Sequence, residues 1–183
     1  MGSPRHGGNS DHLLDRALEG ARSADAQTDK IALIDLRIAP CRECGRCDAG
    51  EPCDIDDDMG SLLSRMQKAD GLIVAAPLFF GGVPGHTKTM IDRCQPVWNE
   101  RRRRTVSGGA HQRRGALICT GGASGHANFA GARLTLRAFF ATLGLVVVDE
   151  VMISGLEGPE DVLGRPEALE RAFWAGRRVA SSV

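Results

Sequence analysis

The 183-residue chain contains no tyrosine, and aromatic residues make up only 4% of it. Its 23 lysines and arginines balance its 23 aspartates and glutamates, so no net charge favours a nucleic acid or an acidic membrane as partner. Uninterrupted apolar stretches stay under ten residues, and the N-terminus lacks a charged segment followed by an apolar one. We therefore expect a cytosolic protein without a membrane span, an export signal or a nucleic-acid partner.

No composition shift divides the chain into two lengths that could each fold alone, so residues 1–183 are predicted to form a single domain. The five histidines are scattered, without a pair at metal-ligand spacing and without a serine or cysteine partner that would complete a triad. We assign no catalytic side chain.

Cysteine is concentrated in one short segment. Cys41, Cys44, Cys47 and Cys53 have the spacing C-x2-C-x2-C-x5-C. Thiols stay reduced in the cytosol, so this run indicates metal or redox ligands, and four thiolates so placed can hold an iron–sulfur cluster. Zinc sites usually separate two C-x2-C pairs by a longer loop, and a redox-active dithiol needs only one pair. The remaining Cys94 and Cys119 fall in a predicted helix and strand, where buried structural thiols are expected.

Apolar strands alternate with amphipathic helices along the chain. The predicted strands are Ile31–Leu36, Leu72–Pro77, Ala116–Thr120 and Leu145–Ile153. The predicted helices run from Asn9 to about Ala24, over Asp57–Ala69, and over about Pro84–Val97, Ala127–Leu143 and Pro166–Ala180. This alternation predicts a parallel sheet with right-handed crossovers, and hence a doubly wound α/β sandwich.

Three glycine-rich loops are predicted at the carboxyl ends of the strands, where such sheets bind ligands. They are Gly2–Ser10, Pro77–Gly85 and Gly121–Gly125. The first leads into a helix N-terminus and carries Arg5, which suits a phosphate group, although a disordered terminus is the alternative. The second combines Phe79 and Phe80 with glycines and suits a flat aromatic cofactor, although each phenylalanine singly favours a core position.

Several segments in order carry a family resemblance. They are Gly2-Ser3-Pro4-Arg5 with Gly8-Asn9-Ser10, the cysteine run ending in Cys53 to Met59, Pro77-Leu78-Phe79-Phe80-Gly81, and Lys88 with Asp92-Arg93. Together they resemble the flavodoxin-like NAD(P)H-dependent FMN reductase superfamily, and the cysteine spacing is similar to that of its iron–sulfur flavoproteins. The resemblance spans nearly the whole chain and implies a flavodoxin-like, three-layer α/β/α sandwich.

The resemblance also implies the cofactor sites. The FMN phosphate would lie at Ser3, Arg5, Asn9 and Ser10. The isoalloxazine would lie against Pro77, Leu78, Phe79, Phe80, Gly81 and Gly82 and against Thr120, Gly121 and Gly122. A [4Fe-4S] cluster would be bound by Cys41, Cys44, Cys47 and Cys53, within a loop at about residues 40–58. The family forms assemblies of more than one subunit, so a homodimer or homotetramer is expected.

The start of the sequence departs from the family pattern. Members usually begin with an apolar strand before the Gly-Ser-Pro motif, and here that motif follows Met1 directly. We expect the first strand to be missing or truncated, either because the start codon was assigned too late or because another segment fills its place.

The leading functional interpretation is an iron–sulfur flavoprotein that uses FMN and a [4Fe-4S] cluster. It would transfer electrons between a reduced carrier, such as ferredoxin or NAD(P)H, and an acceptor. One alternative is a cluster-free NAD(P)H-dependent FMN or quinone reductase, and another is a non-enzymatic redox or metal sensor. Arg42 and Arg46 would supply positive charge near the cluster. Arg101–Arg104 is predicted to be a solvated loop, with the NADPH 2′-phosphate or an acidic electron-transfer partner as its alternative ligands.

Overall fold

The computed structural model describes residues 1–103, 112–122 and 128–181. Its helices are α1 (Asn9–Arg22), α2 (Met59–Lys68), α3 (Gly85–Asp92), α4 (Gln95–Arg103), α5 (Ala130–Leu143) and α6 (Pro166–Ala180). Its strands are β1 (Gly71–Pro77), β2 (Arg113–Thr120) and β3 (Leu145–Ile153). Within these ranges, no helix is both long and apolar enough to cross a membrane.

The strands form one parallel sheet in the order β1-β2-β3. The β1–β2 register runs from Gly71 opposite Arg114 to Pro77 opposite Thr120. The β2–β3 register ends with Thr120 opposite Ile153. All three strands therefore finish at the same edge of the sheet, and the loops that follow them emerge side by side.

Both faces of the sheet are covered by helices, which confirms the predicted α/β sandwich. Ala116 and Ile118 of β2 pack in a core with α1 and α6. Leu117 and Cys119 point to the opposite face and join a second core with α2, α3, α4 and α5. Because successive strand residues face opposite sides, burial on both faces explains the continuous apolar run that the sequence shows for this strand.

Two glycines set the close contact between α1 and α6. A Cβ atom added at Gly176 would lie 1.7 Å from the carbonyl oxygen of Ala17. A Cβ atom added at Gly20 would lie 1.9 Å from the carbonyl oxygen of Phe173. The two backbones therefore approach at a distance that no larger residue permits at these positions.

Two sequence predictions are wrong in detail. The segment Ile31–Leu36 is not a strand, and it contains a short 3-10 turn at Leu33–Asp35. The single helix predicted over Pro84–Val97 is two helices, since α3 ends at Asp92 and α4 starts at Gln95. Pro96 has no N–H to donate to the preceding turn, and it suits the first turn of a new helix.

The first two residues lie beside the free edge of β1. The N–H of Gly2 donates to the carbonyl oxygen of Ala75 at 2.6 Å. On the other side, the Met1 amine donates to Ile31 O at 2.6 Å, and Leu33 N donates to Met1 O at 3.0 Å. These contacts are too few to form a strand ladder, which is why the 31–36 segment is not a strand. Next to them, a mainly apolar groove of about 690 Å³ follows the edge of β1.

The α1–α6 contact gives a stability prediction. Gly176→Ala forces its new methyl group into the backbone of α1, so we expect a loss of about 2 kcal/mol or more in the free energy of unfolding. Gly60→Ala in α2 is the matched control, because the space around that position is open. It should leave stability unchanged or raise it by up to about 1 kcal/mol. Urea unfolding of both variants measures the difference, and equal stabilities would contradict the close approach.

The buried chain start gives a pH prediction. Burial is the main reason that the pKa of the Met1 amine is lowered from 8.0 to about 6. The unfolded state therefore binds more protons between pH 6 and pH 8, so the free energy of unfolding should rise over this interval by about 2–3 kcal/mol. Urea unfolding at several pH values checks this on protein whose mass shows that Met1 is retained.

His86 is the control for this pH effect, because burial also lowers the pKa of its imidazole. The rise should persist in His86→Gln. Its disappearance in that variant would assign the effect to the imidazole instead of the amine.

Candidate functional site

A pocket of about 220 Å³, here called the strand-end pocket, lies at the carboxyl edge of the sheet. Its walls come from four loops, namely the loop that leads into α1 and the loops that follow β1, β2 and β3. The lining residues are Ser3, Pro4, Arg5, Gly8, Asn9, Ser10, Pro77, Leu78, Phe79, Thr120, Gly121, Gly122, Leu156, Glu157, Gly158 and Pro159. Ten of the thirteen residues predicted for FMN are among them, and the three that are not are Phe80, Gly81 and Gly82.

The first loop is held in place by hydrogen bonds, unlike a disordered terminus. The carbonyl oxygen of Gly2 accepts from the buried Thr87 Oγ1 at 2.9 Å and lies 3.0 Å from His86 Nε2. Ser3 Oγ accepts from Arg5 N at 3.1 Å, and Asp11 Oδ2 accepts from Gly7 N at 2.8 Å. The loop thus presents the exposed Arg5 beside the start of α1.

Asn9 and Ser10 connect this loop to the other walls of the pocket. Asn9 Nδ2 donates to Gly158 O at 2.7 Å, and Asn9 Oδ1 accepts from Val162 N at 2.9 Å. The hydroxyls of Ser10 and Thr120 are 2.7 Å apart, and both residues are buried. The side chains of Asn9 and Ser10 are therefore engaged within the protein. The N–H groups of Asp11 and His12 donate to Gly8 O, so those of Asn9 and Ser10 remain as the free backbone donors at the start of α1.

A tight turn follows β1. Phe79 and Gly82 exchange two backbone hydrogen bonds of 2.9 Å, and the residues between them have left-handed φ values of +50° at Phe80 and +77° at Gly81. This is the type I′ geometry, and it turns the Phe80 side chain fully into solvent. Phe79 is 47% exposed and lines the pocket. Neither phenylalanine is a core residue.

The loop after β3 completes the pocket and was not among the predicted site segments. It contributes Leu156, Glu157, Gly158 and Pro159. Gly121 N donates to Ile153 O at 2.8 Å, so the ends of β2 and β3 are joined directly. The rule that pointed to the other loops, that ligands bind beyond the carboxyl ends of parallel strands, applies equally to this one.

The cysteine loop, residues 40–58, contains no helix or strand. All its cysteines are free thiols, with Cys47 partly exposed and the other three exposed. In the part of the chain that the structure covers, no three His, Cys, Asp or Glu side chains stand close enough together to hold a metal ion. The loop thus offers four thiol donors that are not gathered into a closed site.

A buried ion pair closes the base of the cysteine loop. Arg93 Nη1 lies 2.6 Å from Asp57 Oδ2, and the same guanidinium donates to Ala39 O at 2.7 Å. Asp57 also accepts from Ala39 N at 2.8 Å and from Met59 N at 3.0 Å. Burial alone would raise the pKa of Asp57, but these hydrogen bonds outweigh burial and lower it. Asp57 therefore stays ionised opposite Arg93 at neutral pH.

The arginines predicted to serve the cofactors have other partners. Arg42 pairs with Asp54 at 3.1 Å, and Arg46 pairs with Glu51 at 2.8 Å, within the cysteine loop.

The predicted loop of arginines is wrong for Arg101–Arg103, which form the last turn of α4. Arg101 packs over Gly144, and Arg103 donates to the carbonyl oxygens of Cys47 and Asp48 at 3.0 and 3.2 Å. Arg104 lies outside the described residues.

Cys94 and Cys119 are buried, as expected for structural thiols. Burial raises the pKa of each to about 12. Neither is a thiolate at neutral pH, so neither is a nucleophile or a metal ligand as it stands.

Comparisons with known proteins agree with this architecture. The family described as NADPH-dependent FMN reductase matches residues 1–157 of the chain. An iron-sulfur flavoprotein of Methanosarcina thermophila is 41% identical over 92 residues, which cover 50% of this chain and 48% of that protein. The chain spans about half the length of the curated relatives it matches.

Two solved structures are similar over almost the whole chain. An NAD(P)H:quinone oxidoreductase from Methanothermobacter marburgensis has a TM-score of 0.68 at 20% identity, covering 100% of this chain and 94% of that one. An FMN-dependent NADH-azoreductase from Bacillus anthracis, solved in complex with FMN, has a TM-score of 0.67 at 17% identity, covering 98% and 96%. At these identities the two structures show the fold alone. With its sheet, its pocket and the match over residues 1–157, the chain belongs to the NADPH-dependent FMN reductase family.

Proposed function

We propose that the protein is a flavin-dependent oxidoreductase that binds FMN in the strand-end pocket. The observation that carries the proposal is the convergence of loops from three strand ends and the N-terminus of α1 on one cavity. Family membership supports FMN as the ligand.

The phosphate of FMN suits the first loop. The positive end of α1, the N–H groups of Asn9 and Ser10 and the exposed Arg5 favour an anion there, whereas the Glu157 carboxylate lies beside Gly122. Asn9 and Ser10 contribute by fixing the neighbouring loops instead of by their own side-chain donors.

The ring of the flavin suits the opposite wall. Pro77, Leu78 and the half-exposed Phe79 offer an apolar surface, and Gly121 and Gly122 add no side chain that would crowd a flat ring. Bound FMN would supply the chemistry, accepting electrons as a pair and releasing them singly. The side chains of the pocket then bind, orient and shield it, and no general acid or base is needed from them.

We also propose that the cysteine loop binds a [4Fe-4S] cluster through Cys41, Cys44, Cys47 and Cys53. Four free, accessible thiols within one irregular loop have the donor chemistry that such a cluster takes. Because no helix or strand constrains residues 40–56, a bound cluster can draw the four sulfurs together. The curated relatives named iron-sulfur flavoprotein support this assignment.

Helix α3 links the two proposed sites. Thr87 in its first turn holds the loop of the strand-end pocket through Gly2, and Arg93 at its C-terminal cap reaches Cys53 Sγ at 3.6 Å. Six residues of helix separate these contacts, a rise of about 9 Å. We propose that electrons pass between flavin and cluster, with NAD(P)H or a ferredoxin-like carrier as donor and in an assembly of two or four subunits.

A cluster-free NAD(P)H-dependent FMN or quinone reductase is the second candidate. This candidate is favoured because the four cysteine sulfurs are not gathered into a metal site in the described part of the chain. The strand-end pocket fits both proposals equally.

Flavin binding is tested at Arg5. Arg5→Ala should weaken FMN binding about tenfold or more, because it removes a charged donor from the proposed phosphate site. Riboflavin, which lacks the phosphate, should bind the variant and the parent protein equally. Arg22→Ala, at the other end of α1 and about 20 Å away, is the control and should bind FMN normally. Quenching of flavin fluorescence gives the affinities, and unchanged FMN binding in Arg5→Ala would refute the phosphate site.

Cluster binding is tested by composition. Anaerobically purified protein should contain about four irons and four acid-labile sulfides for each FMN. A variant with Cys44→Ala and Cys47→Ala should lose the iron and keep the flavin, whereas Cys119→Ala should keep both. Flavin without iron in the parent protein would favour the cluster-free reductase.

A further inference from the structure

Two buried polar side chains lie beneath the cysteine loop and point at its sulfurs. Arg93 is 4% exposed and Asn99 is 6% exposed. Arg93 caps the C-terminus of α3, and Asn99 lies on α4, the next helix in the chain. Burying polar groups of this kind costs free energy unless each finds a partner, so their contacts indicate what the site requires of them.

Most of the N–H groups of the Arg93 guanidinium donate to residues at the base of the loop. Its guanidinium binds both oxygens of Asp57, at 2.6 and 3.1 Å, and the carbonyl oxygen of Ala39. This fork fixes the plane of the guanidinium and leaves Nη2 3.6 Å from Cys53 Sγ. The position of Cys53 is thus coupled to a buried ion pair, although Cys53 itself is exposed.

Asn99 contacts the third cysteine of the run, Cys47. Its Nδ2 lies 3.3 Å from Cys47 Sγ, and the same amide donates to Asp48 Oδ1. Arg103, four residues later on the same face of α4, donates to the carbonyl oxygen of Cys47 at 3.0 Å. One row of α4 therefore fixes both the side chain and the backbone of Cys47.

Amide and guanidinium donors to sulfur have a known effect on thiolate-bound iron. They stabilise negative charge on the sulfur, favour the reduced cluster, and so raise its reduction potential. Arg42 and Arg46, to which the sequence assigned this role, pair with Asp54 and Glu51 instead.

We propose that Arg93 and Asn99 are positioning residues that hold the sulfurs of Cys53 and Cys47 by N–H···S hydrogen bonds and set the reduction potential of the cluster bound there. The claim about the reduction potential rests on the proposed cluster function. The claim that Arg93 and Asn99 position the cysteine loop also applies to the protein without a cluster.

Asn99→Asp is the principal variant, because it keeps the shape of the side chain while it removes both N–H donors and adds a negative charge. Gln95→Glu is the matched control, since it makes the same chemical change at an exposed position one turn earlier on α4. Arg93→Lys is the second variant, which keeps the positive charge but loses the planar fork.

In the cluster-loaded protein, Asn99→Asp should shift the reduction potential to a more negative value and increase the rate of iron loss to a chelator about 10- to 100-fold. Arg93→Lys should change both quantities in the same direction, and Gln95→Glu should change neither. A potential-controlled titration followed by electron paramagnetic resonance gives the potentials. Equal potentials in Asn99→Asp and Gln95→Glu would overturn the proposal.

Hydrogen exchange on cluster-free protein separates this proposal from the cluster assignment. The backbone N–H groups of Asp48, Gly50 and Glu51 are hydrogen-bonded within the loop, at 3.0 to 3.2 Å. They should exchange faster in Asn99→Asp than in Gln95→Glu. Faster exchange in Asn99→Asp, together with a parent protein that binds no iron, would support the positioning role while the cluster function fails. Unchanged exchange would overturn the positioning role itself.

Discussion

The parallel register of β1 and β2 is the constraint on which the rest of the structure depends. It places Pro77 directly opposite Thr120, so that Leu78 N can donate to Thr120 O at 2.7 Å and the two following loops leave the sheet together. The Thr120 hydroxyl then meets Ser10 at the start of α1. A shift of one residue in this register would turn Thr120 to the other face and separate the walls of the pocket.

The helices packed on the sheet position both the strand-end pocket and the cysteine loop. Gly20 and Gly176 let α1 approach α6 closely, which fixes the direction in which α1 points at the pocket. On the other face, α3 begins beside the first loop and ends at Arg93 under the cysteine loop. The pocket and the cysteine loop are therefore held by the same framework.

The sequence predicted the features that arise from local pattern. Strands buried on both faces and helices with one apolar face were placed to within a few residues, and the ends of the strands located most of the pocket. Contacts between distant residues were not predictable in the same way. Ile31–Leu36 has the composition of a strand but lacks a neighbour with which to pair along its length. Asn9 looked like a phosphate ligand, and only the fold shows that its amide is used by Gly158 and Val162.

The supports of the cysteine loop show the same limit. Arg42 and Arg46 lie next to the cysteines in sequence, yet the side chains that reach the sulfurs are Arg93, 40 residues after Cys53, and Asn99, 52 residues after Cys47. Charged residues next to the cysteines in the sequence therefore did not identify the side chains that contact the sulfurs in the fold.

A crystal structure of the FMN-loaded protein, prepared without oxygen, tests the central claim most directly. The account predicts the phosphate at the N-terminus of α1 beside Arg5, with the ring against Phe79 and Gly121. FMN bound in the groove along β1, or a strand-end pocket that stays empty at saturating FMN, would contradict it.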